Sequence, residues 1–291
     1  MTTINSPEIW RGVLLKGKTA IVTGAGAEGV SVGIGRAIAL QLARQGARVA
    51  AFDKSMAAAQ VTVDMITAEG GTALAIEGDA TDQAKVRSQF RETHDQLGPI
   101  EILVNSVGQG SPGGLLDTSH DEWKVGIDRN LTSAFTCSQA VVPLMQESPG
   151  ASIVHVGSIF GLRYPGSNFL AYSVAKAAMI HLSKCIALEF AQQNIRSNVV
   201  LPGAVDTPAI RNRIAAQWGA EKLDHIMAAR GHQVPRGVSA TVWDVASTVC
   251  FLASPLARHI TGTELIIDGG ATAITVPAYS VAVEIKKQVD I

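Results

Sequence analysis

Neither sign of charge is in excess in this chain. Its 291 residues carry 24 Lys and Arg against 25 Asp and Glu, a formal net charge of −1, and no basic run breaks the balance. The electrostatic footprint of a nucleic-acid binder is missing, so no nucleic-acid partner is expected. No apolar run approaches the ~20 residues a membrane helix needs, so no membrane association is expected either. The opening residues, MTTINSPEIWRG, lack a basic stretch followed by an apolar one, and no signal peptide is expected. Cysteine is scarce. Cys137, Cys185 and Cys250 are isolated, odd in number and without metal-ligand spacing. All three read as small buried hydrophobes in a reducing cytoplasm. None of the seven histidines falls in an H-x-x-x-H or H-E-x-x-H pattern, so no metal site is expected. His155 falls in a buried strand, whereas His94, His120 and His259 sit in polar contexts and should be exposed.

What is present is apolar and periodic. Hydrophobic residues make up 47% of the chain, enough for a large core. Short apolar runs at Thr19–Thr23, Arg48–Phe52, Thr72–Glu77, Ile102–Asn105, Ser152–Val156, Ile195–Leu201 and Glu264–Ile267 read as strands. Most are rich in Val and Ile without polar alternation, as parallel strands covered on both faces should be. Helix-length segments separate them, among them Gly35–Gln45, Asp82–Leu97, Asp121–Met145 and Tyr172–Gln192. The alternation predicts an α/β fold, a doubly wound parallel sheet of Rossmann type with right-handed crossovers. No repeat or linker divides the chain, so residues 1–291 are read as one domain.

The first strand runs into TGAGAEGVSVGIGRAIA. A glycine turn between a strand and its helix lets backbone N–H groups approach a pyrophosphate seated on the helix N-terminus. Gly24, Gly26 and Gly29 spell G-x-G-x-x-G, while Gly24, Gly33, Ile34 and Gly35 spell a longer T-G…G-I-G. Starting the helix near Ala27 would bury Gly33 and Gly35 inside it at about 1 kcal/mol each, so the helix should start at Gly33. Asp53 ends the second strand, where a carboxylate accepts from the adenosine ribose hydroxyls of NAD and repels the 2′-phosphate of NADP. NAD is therefore expected over NADP, although Lys54 follows at once.

Tyr172 and Lys176 stand at i and i+4, on one face of a helical segment. A neighbouring ammonium should lower the phenol's pKa and tune it for proton exchange with a carbonyl or hydroxyl oxygen. With that pair the chain resembles the short-chain dehydrogenase/reductase family from about Leu14 to Gly270. Thr23-Gly24…Gly33-Ile34-Gly35 resembles the family's cofactor loop, and Gly78-Asp79-Ala80-Thr81 its adenine-binding turn. Asn105-Ser106-Val107-Gly108 stands at its N-N-A-G motif, Asn130 at its helix asparagine and Ser158 at its catalytic serine. Leu201-Pro202-Gly203 with Val205 and Thr207 resembles the segment over the nicotinamide, and Asp268-Gly269-Gly270 the C-terminal sheet motif.

The resemblance implies hydride transfer between a nicotinamide cofactor and a small secondary alcohol or ketone. It implies Tyr172 as general acid/base, Lys176 on the nicotinamide ribose, Ser158 on the substrate oxygen and Asn130 behind a relay water. It further implies Val205 and Thr207 on the carboxamide, and a homo-oligomer, tetramer or dimer, in the cytoplasm. Alternatives on the same scaffold are an NADPH-dependent ketone or 3-oxoacyl reductase and, in another class, a non-catalytic dinucleotide-binding scaffold.

The chain also departs from the family. The cofactor loop carries about five extra residues within Ala25–Val32, and Ser106 and Val107 replace the second Asn and the Ala of N-N-A-G. The gap from Ser158 to Tyr172 is one residue longer. Residues Pro208–Val238 should form the substrate loop, with His225 and His232 in reach of substrate, and Arg163 and Tyr164 should line the pocket mouth. Residues 271–291 extend past the family's usual end, and Ala273–Val283 is expected against a neighbouring subunit.

Overall fold

The structure, a computed structural model, describes residues 13–148, 150–164, 166 and 168–274. Its first strands and helices are β1 (Thr19–Thr23), α1 (Ile34–Arg44), β2 (Arg48–Asp53), α2 (Met56–Ala68), β3 (Thr72–Glu77), α3 (Gln83–Leu97) and β4 (Ile100–Asn105). Then come α4 (His120–Ile127), α5 (Ser133–Met145), β5 (Ser152–Val156), α6 (Leu170–Glu189), β6 (Arg196–Pro202) and β7 (Val205–Asp206). The described chain closes with α7 (Pro208–Trp218), α8 (Leu223–His232), β8 (Ala240–Thr241), α9 (Val242–Ala253) and β9 (Glu264–Ile267).

The main sheet is parallel throughout, in the order β3-β2-β1-β4-β5-β6-β9. That is the doubly wound order, with the switch point between β1 and β4. The missing polar alternation has its cause in the two cores. Ala20, Val22, Val49, Ala51 and Val104 pack on the α1 and α9 side. Their neighbours Ile21, Ala50, Phe52 and Leu103 pack on the side of α3 and α5. Alternate residues face opposite layers, and both layers are apolar. All seven expected strands are present, within two residues at each end.

One helix expectation changes. Asp121–Met145 is not one helix: a π-turn over Asp128–Thr132 separates α4 from α5. The excursion after β6 is mostly helical, α7 and α8, and the short parallel pair β7–β8 brackets it. Among the described residues no helix is long and apolar enough to cross a membrane. Cys137 and Cys250 are buried as expected, but Cys185 is exposed on α6. His155 is fully buried and His120 and His259 are exposed, whereas His94 is half-buried against Asp95 and Glu147. Of the C-terminal extension, residues 275–291 lie outside the described residues, and most of Ala273–Val283 with them.

Candidate active site

The carboxyl ends of β1, β4 and β5 meet α6 at one cleft. α1 begins at Ile34 behind Gly33, as its glycines require, and no side chain caps it. By contrast Ser55 caps α2 and Asp82 caps α3. The first N–H groups of α1 therefore lack a side-chain partner, which is the condition for holding an anion. Gly24 (φ +67°) is in the left-handed region, and a Cβ there would meet the backbone of Ser106 and Val107 at 3.2 Å. A Cβ on Gly35 would stand 1.9 Å from the Gly24 carbonyl oxygen. Only glycine lets the turn and the helix approach this closely.

A cavity of roughly 410 Å³ opens beside this turn, lined by Gly24, Asp53, Lys54, Asp79, Ala80, Ser106, Gly108, Gln109, Arg129 and others. Asp53 accepts from Gly26 N (2.9 Å) through Oδ2 and from Ser55 N (3.0 Å) through Oδ1. A carboxylate has about four lone-pair sites, so two remain for a ligand. Lys54 pairs with Asp79 at 2.8 Å. Burial would raise the Asp79 carboxyl, but the bonds from Lys54 and Thr81 outweigh it and hold it at about 2. Asn105 behaves differently from its neighbours. It is buried, donates to Ser138 Oγ (3.1 Å), lies 3.3 Å from His155 Nδ1, and does not line the cavity.

Tyr172 and Lys176 occupy consecutive turns of α6, and Ser158 follows β5. Ser158 Oγ accepts from Phe160 N (3.2 Å), which caps a tight turn over Ile159–Gly161. A Cβ on Gly161 would press within 2.9 Å of the α6 backbone at Lys176, so glycine brings Ser158 up to Tyr172. Asn130 lies in the π-turn, a form frequent at functional sites. Its Oδ1 accepts from Gln109 N (3.0 Å), and its Nδ2 donates to Gln109 O (3.1 Å) and Gly126 O (2.9 Å). This clasp fixes the loop after β4.

The electrostatics depart from expectation. Lys176 Nζ donates to Val156 O at 2.8 Å and lies 5.6 Å from the centroid of the Tyr172 ring. Burial pushes the Lys176 ammonium down to about 7. Burial also pushes the Tyr172 phenol above its ordinary value, and the hydrogen bond with Ser158 only partly offsets this. The expected lowering of the phenol's pKa by its neighbour is absent, because the ammonium is directed at the β5 carbonyl. On the far side of Tyr172 stand Phe160, edge-on at 6.1 Å, and Phe169, 5.8 Å from Phe160.

A family model for enoyl-(acyl carrier protein) reductase matches residues 29–272. A solved structure from Burkholderia xenovorans, titled as a short-chain dehydrogenase/reductase, superposes with a TM-score of 0.85 at 37% identity, covering 90% of this chain and 99% of that one. The chain belongs to the short-chain dehydrogenase/reductase family. As a member it is an oxidoreductase that uses a dinucleotide cofactor on alcohol or ketone substrates. It is 36% identical to the 2,3-dihydro-2,3-dihydroxybenzoate dehydrogenase of Bacillus subtilis, over 89% of this chain and 97% of that protein. It is 32% identical to the 2,5-dichloro-2,5-cyclohexadiene-1,4-diol dehydrogenase of Sphingobium indicum, over 88% and 96%.

The residues present fit a dinucleotide. Gly24, Gly33, Ile34 and Gly35 form a close-packed turn at the uncapped start of α1, and Asp53, Asp79, Ala80, Ser106 and Gly108 line the adjoining cavity. Pro202 ends β6, and Gly203, Val205 and Thr207 follow it. There Gly203 N bonds Ile267 O (2.9 Å), and Thr207 Oγ1 caps α7 by accepting from Ile210 N (3.2 Å). Gln109, Arg129, Val125 and Ser133 line the cavity without having been singled out in the sequence. Gln109 carried one signal, its place directly after Gly108. Arg163 lies on the loop after Ser158 and Tyr164 is exposed there, with its hydroxyl 3.0 Å from Asn168 Oδ1. His225 and His232 are exposed on α8.

Proposed function

We propose that this chain moves a hydride between NAD and the carbinol or carbonyl carbon of a cyclic or aryl-flanked secondary alcohol or ketone. The observation that carries the reaction is the convergence of Ser158, Tyr172 and Lys176 at one cleft, with Ser158 close enough to the phenol to favour its ionised form. Bound dinucleotide supplies the hydride acceptor or donor at nicotinamide C4. In oxidation the Tyr172 phenolate takes the hydroxyl proton; in reduction the phenol gives it to the carbonyl oxygen. Ser158 donates to the same oxygen and stabilises charge that develops there. Lys176 holds the nicotinamide ribose, itself anchored on the Val156 carbonyl. Asn130 keeps the Gln109 loop in place behind them and supports a water that joins Lys176 to solvent.

The preference for NAD rests on Asp53, which keeps acceptor capacity at the cavity, and on Lys54, which is tied to Asp79. The ring preference rests on Phe160 and Phe169, whose faces suit a planar or alicyclic substrate. Two relatives named for dehydrogenation of ring diols support it. We read the enzyme as a cytoplasmic homo-oligomer, dimer or tetramer. Exposed Phe135 on α5 and Leu188 on α6 offer apolar contact surface, and sedimentation tests the assembly. The substrate reading is tested by NADH absorbance across a panel of cyclic, aryl and open-chain secondary alcohols. Turnover confined to open-chain alcohols would overturn it.

A further inference from the structure

Arg36, on the first turn of α1, is fully buried, which an arginine tolerates only when its donors are all met. Here three are met by the inserted loop and two by α2. Nη1 donates to the carbonyls of Gly29 (2.7 Å) and Ser31, and Nη2 to those of Ala27 (3.1 Å) and Ala58 (3.0 Å). Nε donates to Thr62 Oγ1 (2.9 Å), which in turn donates to Ala25 O (2.8 Å). Three alternate carbonyls of the insertion thus point inward at one guanidinium. A trans peptide is planar, with its N–H directed opposite its C=O. The N–H groups of Glu28, Val30 and Val32 must therefore point away from Arg36, outward from the protein. Gly29 at φ +53° supplies the left-handed residue that such an arrangement needs. N–H groups turned away from Arg36 beside a helix N-terminus are donors in the field that attracts an anion.

We propose that Arg36 is the positioning residue for the cofactor loop, holding the insertion's outward N–H groups as added donors for the pyrophosphate of the dinucleotide. Burial disfavours the charge of Arg36, and the nearby Asp53 carboxylate partly offsets this. Glu28 Oε2 accepts from Asn212 Nδ2 (2.9 Å) and anchors the loop's outer end on α7. A loop ordered before binding adds affinity because the ordering cost is met in folding. Lysine cannot replace this arginine: it has three donors on one point and no planar fork.

The proposal rests on dinucleotide use and not on the substrate reading, and its test needs no substrate. Fluorescence titration with NADH, and competition with ADP-ribose and with adenosine, would be run on Arg36→Lys and Thr62→Val, with cooperative unfolding checked for each. Arg36→Lys should weaken NADH and ADP-ribose by about tenfold, as a loop populated in its competent form about a tenth of the time would. Adenosine, which has no phosphate, should bind within twofold of wild type. Should Arg36→Lys fail to fold, Thr62→Val decides, with a smaller loss of the same selectivity expected. NADH affinity within twofold of wild type, or an equal loss for adenosine, would overturn the proposal.

Discussion

Lys176 donates its Nζ hydrogen bond to the carbonyl oxygen of Val156, two residues before Ser158. The ammonium is thereby aimed from α6 at β5, and the strand that leads to the serine also sets the position of the lysine. Lys176→Met removes this anchor and the charge near the phenol. It should lower kcat by about a hundredfold or more, within the range of general acid–base contributions. The acid limb of the oxidation pH profile, where the phenol ionises, should shift little, since burial and Ser158 set that pKa while the ammonium is aimed at β5. Steady-state rates from pH 6 to 10 check both.

Asp53 is held by two backbone N–H groups and keeps capacity for two more. Asp53→Ala should cut kcat/KM for NAD by about tenfold to a hundredfold and raise it for NADP, because both ribose acceptors and a repelling charge are lost. Paired kinetics with the two cofactors measure the change. The variant also releases Gly26 N, so its unfolding curve belongs beside the kinetics.

His155 provides a pH test of the fold. Burial, with the Lys176 charge adding to it, holds the imidazole down to about 3, against about 6.5 when unfolded. Between those values the unfolded chain binds a proton that the folded chain does not. The contribution is complete above about 6.5 and is lost as pH falls towards 3, with a slope of about 1.4 kcal/mol per pH unit from this one group. Denaturant unfolding at pH 7.5, 6 and 5 should show the fall, and His155→Asn should flatten it.

Phe169 is fixed by a bridge between two loops, with Gly113 N bonded to Asn168 O and Leu170 N to Gly113 O, each at 3.0 Å. The bridge fixes the backbone from which its ring projects towards Phe160. Phe169→Ala should raise KM for a ring substrate by about tenfold, the loss of a large part of an aromatic contact, while kcat changes less. Open-chain substrates should be affected little.

The strands were legible because each lies between two apolar layers, so burial alone writes the pattern. The start of α1 at Gly33 was legible because a glycine inside a helix costs free energy. Other features follow from distant contacts that carry no local signal. The π-turn at Asn130 answers to Gln109, 21 residues away. Nothing local marks Arg36 as buried, because Thr62 and the loop carbonyls that close around it meet it only in the fold. Cys185 reads as buried by type but falls on the outer face of α6. Lys176 was correctly placed beside Tyr172 but not aimed, because its acceptor belongs to another element.

The central claim is that Tyr172 exchanges the proton while other groups hold the cofactor. Tyr172→Phe keeps the ring against Phe160 and removes only the hydroxyl. The most direct measurement is turnover of the best alcohol by this variant, beside its NADH affinity by fluorescence. Turnover should fall by about a thousandfold or more, with NADH affinity within about threefold of wild type. A variant that turns over near the wild-type rate would contradict the account.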